Sequence, residues 1–170
     1  MQYKICPALP ADAAGLARVR IDTWRAAYRG IVPDEYLANL DYATNEQNFR
    51  NYLANPAERM FAALDEAGQA AGFASCGANR ETLPGFPGEV YALYILPAHQ
   101  KHGLGRSLFR KAFEQLSDGG LFPAVIWVLA ENPACGFYRR VGGVEIGHKS
   151  IEIGGKQLRA LRYGFSDGEI

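Results

Sequence analysis

The sequence predicts an α/β fold of the mixed α+β kind. It has one central sheet, mostly antiparallel but with a parallel pair of strands at its middle, and helices on both faces. Three observations predict it. Val90 to Leu96 and Ala124 to Ala130 are nearly unbroken apolar runs, as strands covered on both faces require. An amphipathic helix separates them, and a strand–helix–strand order needs a crossover that leaves the two strands parallel. On either side of this unit, strand pairs flank short turns and predict antiparallel hairpins.

Taken in order, Gln2 to Cys6 alternates as a first strand. Asp12 then caps a helix in which Leu16, Arg20, Trp24 and Tyr28 share one side, ended by Gly30. A second helical stretch is expected from Pro33-Asp34-Glu35 to about Leu53, with Asn45 and Asn48 as its weak points. Met60 to Leu64 and Ala70 to Cys76 flank the turn Asp65 to Gln69 as a hairpin. After the loop Asn79 to Gly88, the apolar run Val90 to Leu96 is the fourth strand and the centre of the sheet. From Gly103, Leu104, Leu108, Ala112 and Leu116 recur every four residues; Phe109 and Phe113 widen the stripe and Gly119-Gly120 stop it. Beyond the fifth strand, Ala124 to Ala130, Asn132-Pro133 open a short helix, the amide capping and the proline in the first turn, and Gly142-Gly143 close it. Val144 to Ile153 and Lys156 to Phe165 flank the two-residue turn Gly154-Gly155, with Leu161, Tyr163 and Phe165 on one face.

Composition narrows the function. A chain of 170 residues is the ordinary size of one domain, and 48% apolar with 21% charged residues is a globular balance, so residues 1–170 are expected to form a single domain. Eighteen basic side chains against eighteen acidic ones leave no field to steer a nucleic acid. No run approaches the ~18 apolar residues of a membrane span, and Met1 to Pro7 lacks the apolar centre of a signal peptide, so a cytoplasmic protein without membrane contact is expected. Cys6, Cys76 and Cys135 stand far apart and read as small apolar residues; with His99, His102 and His148 they show no metal-ligand spacing, so no metal is expected.

The segment that carries chemistry is Gln100-Lys101-His102-Gly103-Leu104-Gly105, between an apolar strand and an amphipathic helix. Glycines at a helix start let the backbone approach an anion, and the free amide hydrogens there suit a diphosphate, although such glycines also serve simply as turns. A dinucleotide fold needs a third glycine where Leu108 stands, and a phosphate loop needs Lys-Ser/Thr where Arg106-Ser107 stand.

Gln100 to Gly105 matches the Gln/Arg-x-x-Gly-x-Gly/Ala signature of the GNAT superfamily of N-acetyltransferases, which this chain resembles over essentially its whole length. Asn132 to Gly143 is similar to the family's second cofactor segment. The resemblance implies acetyl-CoA as co-substrate, with amides of Gln100 to Arg106 holding its pyrophosphate, and Leu93, Tyr94 and Ile95 lining its pantetheine as an added strand. It implies that the fourth and fifth strands splay apart, and that the amide of Leu93 or Tyr94 faces the thioester carbonyl. Asn132 falls on the pantetheine, Tyr138 near the sulfur and Glu89 where several members keep a catalytic glutamate. Plainer readings stand beside these: a helix cap for Asn132, a packed aromatic for Tyr138, a solvated strand-end carboxylate for Glu89. Trp24, Tyr28, Arg29 and Tyr36, with the loop Asn79 to Phe86, are where the fold would seat the acceptor, though Trp24 also reads as core.

The implied reaction is direct attack by a primary amine of a small molecule or peptide in a ternary complex. No histidine is evident beside Cys135, the cysteine near the motif, to support an acyl-cysteine route. A non-catalytic acyl-CoA sensor is the alternative from another class, and a homodimer is left open.

Overall fold

The computed structural model describes residues 2–55 and 59–166. The order is β1 (Lys4–Pro7), α1 (Ala13–Ala27), α2 (Asp34–Ala38), α3 (Tyr42–Leu53), β2 (Arg59–Leu64), β3 (Ala70–Ala78), β4 (Gly88–Ile95), α4 (Leu104–Asp118), β5 (Ala124–Leu129), α5 (Cys135–Arg140), β6 (Val144–Ile153) and β7 (Lys156–Phe165). All seven strands join one sheet in the order β1-β2-β3-β4-β5-β7-β6, with β4 at its centre. The β4/β5 pair is parallel and every other neighbour antiparallel, as the crossover through α4 demands.

Strand alternation sorts the core into two layers. Leu108, Phe109, Phe113 and Leu116 of α4 and Tyr138 of α5 pack against Ala63, Ala74, Ile126, Leu161, Tyr163 and Phe165 on one face. On the other, Leu16 and Val19 of α1 meet Met60, Ala62 and Phe73, and Tyr28 with Leu37 meets Leu129, Leu158 and Ala160.

Four expectations need correction. The long second helical stretch is two helices: Asp41 accepts from the Thr44 N–H at 2.8 Å and starts α3 afresh, so the break lies before Asn45. Asn45 is a buried member of α3 whose amide donates to Asp41 O and whose carbonyl accepts from Arg20. Asp12 does not cap α1; its carboxylate accepts from Leu9 N–H at 2.8 Å and shapes the turn before the helix. Helix α1 ends at Ala27, ahead of Gly30, and α5 begins at Cys135, because the residues after Asn132 first form a tight turn with bonds from Cys135 N–H to Asn132 O and from Gly136 N–H to Pro133 O.

Strand β4 carries a bulge. Ala92 faces Ser75 and Val90 faces Cys76, so Tyr91 is an extra residue. Without it Glu89 would share the α4 face with Leu93 and Ile95. With it, Val90 enters that core and Glu89 turns to the side of α1.

Candidate active site

The loop after β4 is built to leave amides free. The Gln100 carboxamide donates to Ile95 O at 3.0 Å and folds the loop back on its strand, so this side chain orders the loop rather than pointing at a ligand. Lys101 (φ 65°) and Gly103 (φ 80°) are both left-handed, a sequence of turns that gathers successive N–H groups into one concavity. Among the described residues none of the amides of 101–106 donates a hydrogen bond, and those of Leu104, Gly105 and Arg106 open the first turn of α4. Lys101, His102, Gly103 and Arg106 are exposed around them, while the Leu104 side chain is buried. Such a row of unused donors at a helix N-terminus fits a diphosphate. Gly105 has a different task from Gly103: a Cβ there would stand 3.1 Å from Ile95 Cδ1 and 3.7 Å from the Phe137 ring, so it lets α4 pack closely on β4 and α5.

Beside the loop the sheet opens. Strands β4 and β5 pair only at Gly88/Ala124 and Glu89/Val125, and the rest of their facing edges is unpaired. The register says which groups face the gap. Leu96 N–H bonds Ala71 O, so in the antiparallel ladder Tyr94 and Ala92 also bond β3, whereas Leu93 and Ile95 turn their backbone groups away from it. Of the two candidate amides, therefore, the one that faces the gap is that of Leu93, and Tyr94 N–H is spent in the sheet.

Tyr94 enters through its side chain instead. Tyr28, Tyr94 and Tyr138 form a set of phenols whose pKa values are all raised, first by burial; Tyr94 raises that of Tyr28 further, and both raise that of Tyr138. Asn132 fixes two parts of this wall: its carbonyl accepts from Ala134 N–H at 2.8 Å and its amide donates to the Tyr28 hydroxyl at 3.1 Å. It thus shapes the turn ahead of α5, rather than capping the helix, and braces Tyr28. The Trp24 ring lies 4.7 Å from that of Tyr28 and 6.1 Å from that of Tyr36, and Arg20 stacks over it at 5.3 Å. Tyr138 is 4% exposed, packs on Phe109 and Phe137, and its hydroxyl has no hydrogen-bond partner among the described residues. Arg29 is exposed at the turn after α1 and takes no part in this wall.

Glu89 is no solvated strand end. It is 1% exposed, and Arg80 holds it from two sides, its N–H donating to Oε2 at 3.0 Å and its guanidinium pairing with Oε1. The Arg80 side chain itself lies at the surface, 4.6 Å over Tyr91. The Cys135 thiol donates to Leu129 O at 3.4 Å and Ala130 O at 3.7 Å, and burial raises its pKa, so it is held as a neutral thiol.

A match to the Acetyltransferase (GNAT) family model spans residues 20–143. The chain belongs to this family. It is 34% identical over 156 residues to the N-acetyltransferase YuaI of Bacillus subtilis (strain 168), itself uncharacterised, covering 92% of this chain and 88% of that one. The fold is similar to that of the PaiA N-acetyltransferase of Thermoplasma acidophilum, solved in complex with coenzyme A (TM-score 0.72, 18% identity, 97% of this chain and 100% of that one). It is equally similar to that of yncA from Salmonella typhimurium, solved with acetyl-CoA (TM-score 0.72, 19% identity, 98% and 94%).

As a GNAT member the chain is an acyl-CoA-dependent N-acetyltransferase. Among its described residues no helix is long and apolar enough to cross a membrane, and no three His, Cys, Asp or Glu side chains gather as a metal site. Residues that sequence reasoning left out of the GNAT site are Arg20, Trp127 and the side chain of Tyr94, while Arg80 entered only as part of the loop Asn79 to Phe86, without its bond to Glu89. Arg20 carried a signal, the shared helix face with Trp24 and Tyr28. The others meet the site only through pairings between distant strands.

Proposed function

We propose that this GNAT enzyme transfers the acetyl group of acetyl-CoA to a primary amine of a small molecule or peptide by direct attack in a ternary complex. The observation that carries the reading is the continuity of unpaired backbone: free amides 101–106 lead into the open edge of β4, and that edge ends among the phenols. Acetyl-CoA supplies a thioester whose carbonyl carbon accepts the amine. The N–H groups of residues 101–106, with exposed Lys101, His102 and Arg106, hold the diphosphate; Leu93 and Ile95 bond the pantetheine arm, beside Asn132.

Leu93 N–H is then the donor to the carbonyl oxygen as it gains charge. Tyr138 lends its hydroxyl to the sulfur as the carbon–sulfur bond breaks. Burial disfavours a tyrosinate, so its contribution is a strong hydrogen bond more than full proton transfer to a thiolate whose own pKa is about 8.5. Glu89 lies four residues from Leu93, roughly 13 Å along the strand, so the proton of the ammonium reaches it through water. Arg80 holds that carboxylate in place through its N–H and its guanidinium. Trp24, Tyr28 and Tyr36 wall the acceptor side.

The test is CoA release by the purified protein with acetyl-CoA across a panel of amines, beside thermal melts with CoA and with NADH. Turnover with at least one amine and a CoA-dependent rise in Tm are expected; at a hundred times its Kd a ligand adds about 2.7 kcal/mol. Stabilisation by NADH but not by CoA would end this reading.

A further inference from the structure

A second group of charges lies on the acceptor side of the sheet and has no part in the chemistry above. Trp127 of β5 and Arg162 of β7 face each other in register. The Trp127 ring has the Arg162 guanidinium 5.0 Å and the Lys149 ammonium 4.1 Å from its centre. Glu81, from the loop after β3, holds both cations: Lys149 pairs with Oε1, and Arg162 Nη1 donates to Oε2 at 3.3 Å. A Cβ on Gly147 would stand 3.2 Å from Arg162 Nη2, so β6 leaves room for the guanidinium. Yet Arg162 Nε is buried without a hydrogen bond, in a side chain only 18% exposed.

Charge counting gives the group a sign. Lys149 and Arg162 stand against Glu81, which leaves one positive charge in excess. A half-sequestered guanidinium with an unused donor beside a surplus of positive charge suits a carboxylate, and it repels a second ammonium. Its distance from the reacting end follows from the sheet. Val125 pairs with Glu89, so Trp127 lies two residues short of the level of Leu93 and one strand across from it, and Arg162, its partner in register, lies two strands across. For Arg162 those offsets are ~7 Å and, at ordinary strand spacing, ~10 Å, together ~12 Å, a figure that the opening between β4 and β5 lengthens.

We propose that the amine acceptor carries a carboxylate ~12 Å from its amino group, bound by Arg162 and Lys149 beside Trp127. The proposal rests on the acetyl-transfer reading, and the experiment separates the two. Binding of ω-aminooctanoate and of its methyl ester to the protein–CoA complex is measured by calorimetry, and CoA release from acetyl-CoA is followed with the same two amines. The acid is expected to bind about tenfold more tightly than the ester, a preference that Arg162→Gln removes and Lys149→Gln reduces, while Arg162→Lys keeps part of it. Melting curves confirm that each variant is folded; should Arg162→Gln fail to fold, Lys149→Gln and Arg162→Lys carry the comparison. Equal binding of acid and ester to the wild type overturns the proposal. A preference for the acid without any CoA release keeps the carboxylate site and removes the acetyl-transfer reading.

Discussion

Replacing Tyr138 with Phe separates a group that helps the reaction from one that holds the fold. The ring contacts with Phe109, Phe137 and Tyr163 survive, and the hydroxyl that is lost has no hydrogen-bond partner among the described residues. Stability should therefore change by no more than about 1 kcal/mol, or ~2–4 °C in Tm for a chain of this size. Turnover should fall ~10-fold to 10³-fold, about 1.4–4 kcal/mol of transition-state stabilisation, with affinity for CoA unchanged. Alkaline pH supplies a second readout. Burial raises the Tyr138 pKa above its usual 10.0, so in this range the unfolded chain gives up its proton before the folded one does. The stability this provides is complete below about pH 10 and is lost as pH climbs toward the raised value, so the wild type should lose stability above pH 10 more steeply than the variant. Denaturation by urea against pH and CoA release under conditions where chemistry limits the rate make the two measurements. Full kcat in the variant, or a stability loss beyond about 2 kcal/mol, would refute the assignment, the second by revealing a structural bond to the hydroxyl.

Gly105→Val should destabilise the protein by ~1–3 kcal/mol through collision with Ile95 and weaken CoA binding by displacing the first turn of α4; an unchanged urea midpoint would sink the packing argument. Glu89→Gln should lower the rate at neutral pH by ~10²-fold and recover as pH nears the pKa of the acceptor amine; a pH–rate profile like the wild type's takes Glu89 out of the mechanism. Burial pushes the Cys76 thiol up to about 12, so it should resist alkylation in the native protein at mildly alkaline pH and react only on unfolding; fast labelling of the native state would contradict its place in the core.

Local patterns in the sequence carried most of the fold. The nearly unbroken apolar runs Val90 to Leu96 and Ala124 to Ala130, the four-residue recurrence in α4 and the Gly154-Gly155 turn are each readable within a dozen residues, and the hairpin register at that turn runs from Val144/Gly164 to Ile153/Lys156. The division of the second helical stretch was also written locally, in Asp41 and Thr44. The asparagines drew attention away from it, and Asn45 tolerates a helix only because Arg20 and Asp41 O satisfy its amide. The cofactor loop was legible because its chemistry is backbone chemistry in one short segment. The acceptor side was not. Glu89 owes its place on the α1 side to the extra residue at Tyr91, which reverses the facing of everything before it, and no alternation rule reveals where a bulge falls. Arg162, Lys149 and Glu81 come together from three separated stretches, and Arg29 read as a site residue only because it is close in sequence to aromatics whose helix has ended by then.

The opening between β4 and β5 also bears on how the protein keeps company in a crowded solution. An unpaired strand edge is ordinarily a template for another chain, and natural sheets shorten, charge or cover their edges to escape it. Here the exposed donors and acceptors that a ligand needs are kept in the middle of the sheet, between two halves joined at Gly88 and Glu89, where the opposite wall is β5 and a passing strand finds no open flank. The outer margin at one side is β1, only four residues long. Placing a vacancy inside the sheet thus gives a narrow guest access to backbone hydrogen bonds while denying them to a second protein.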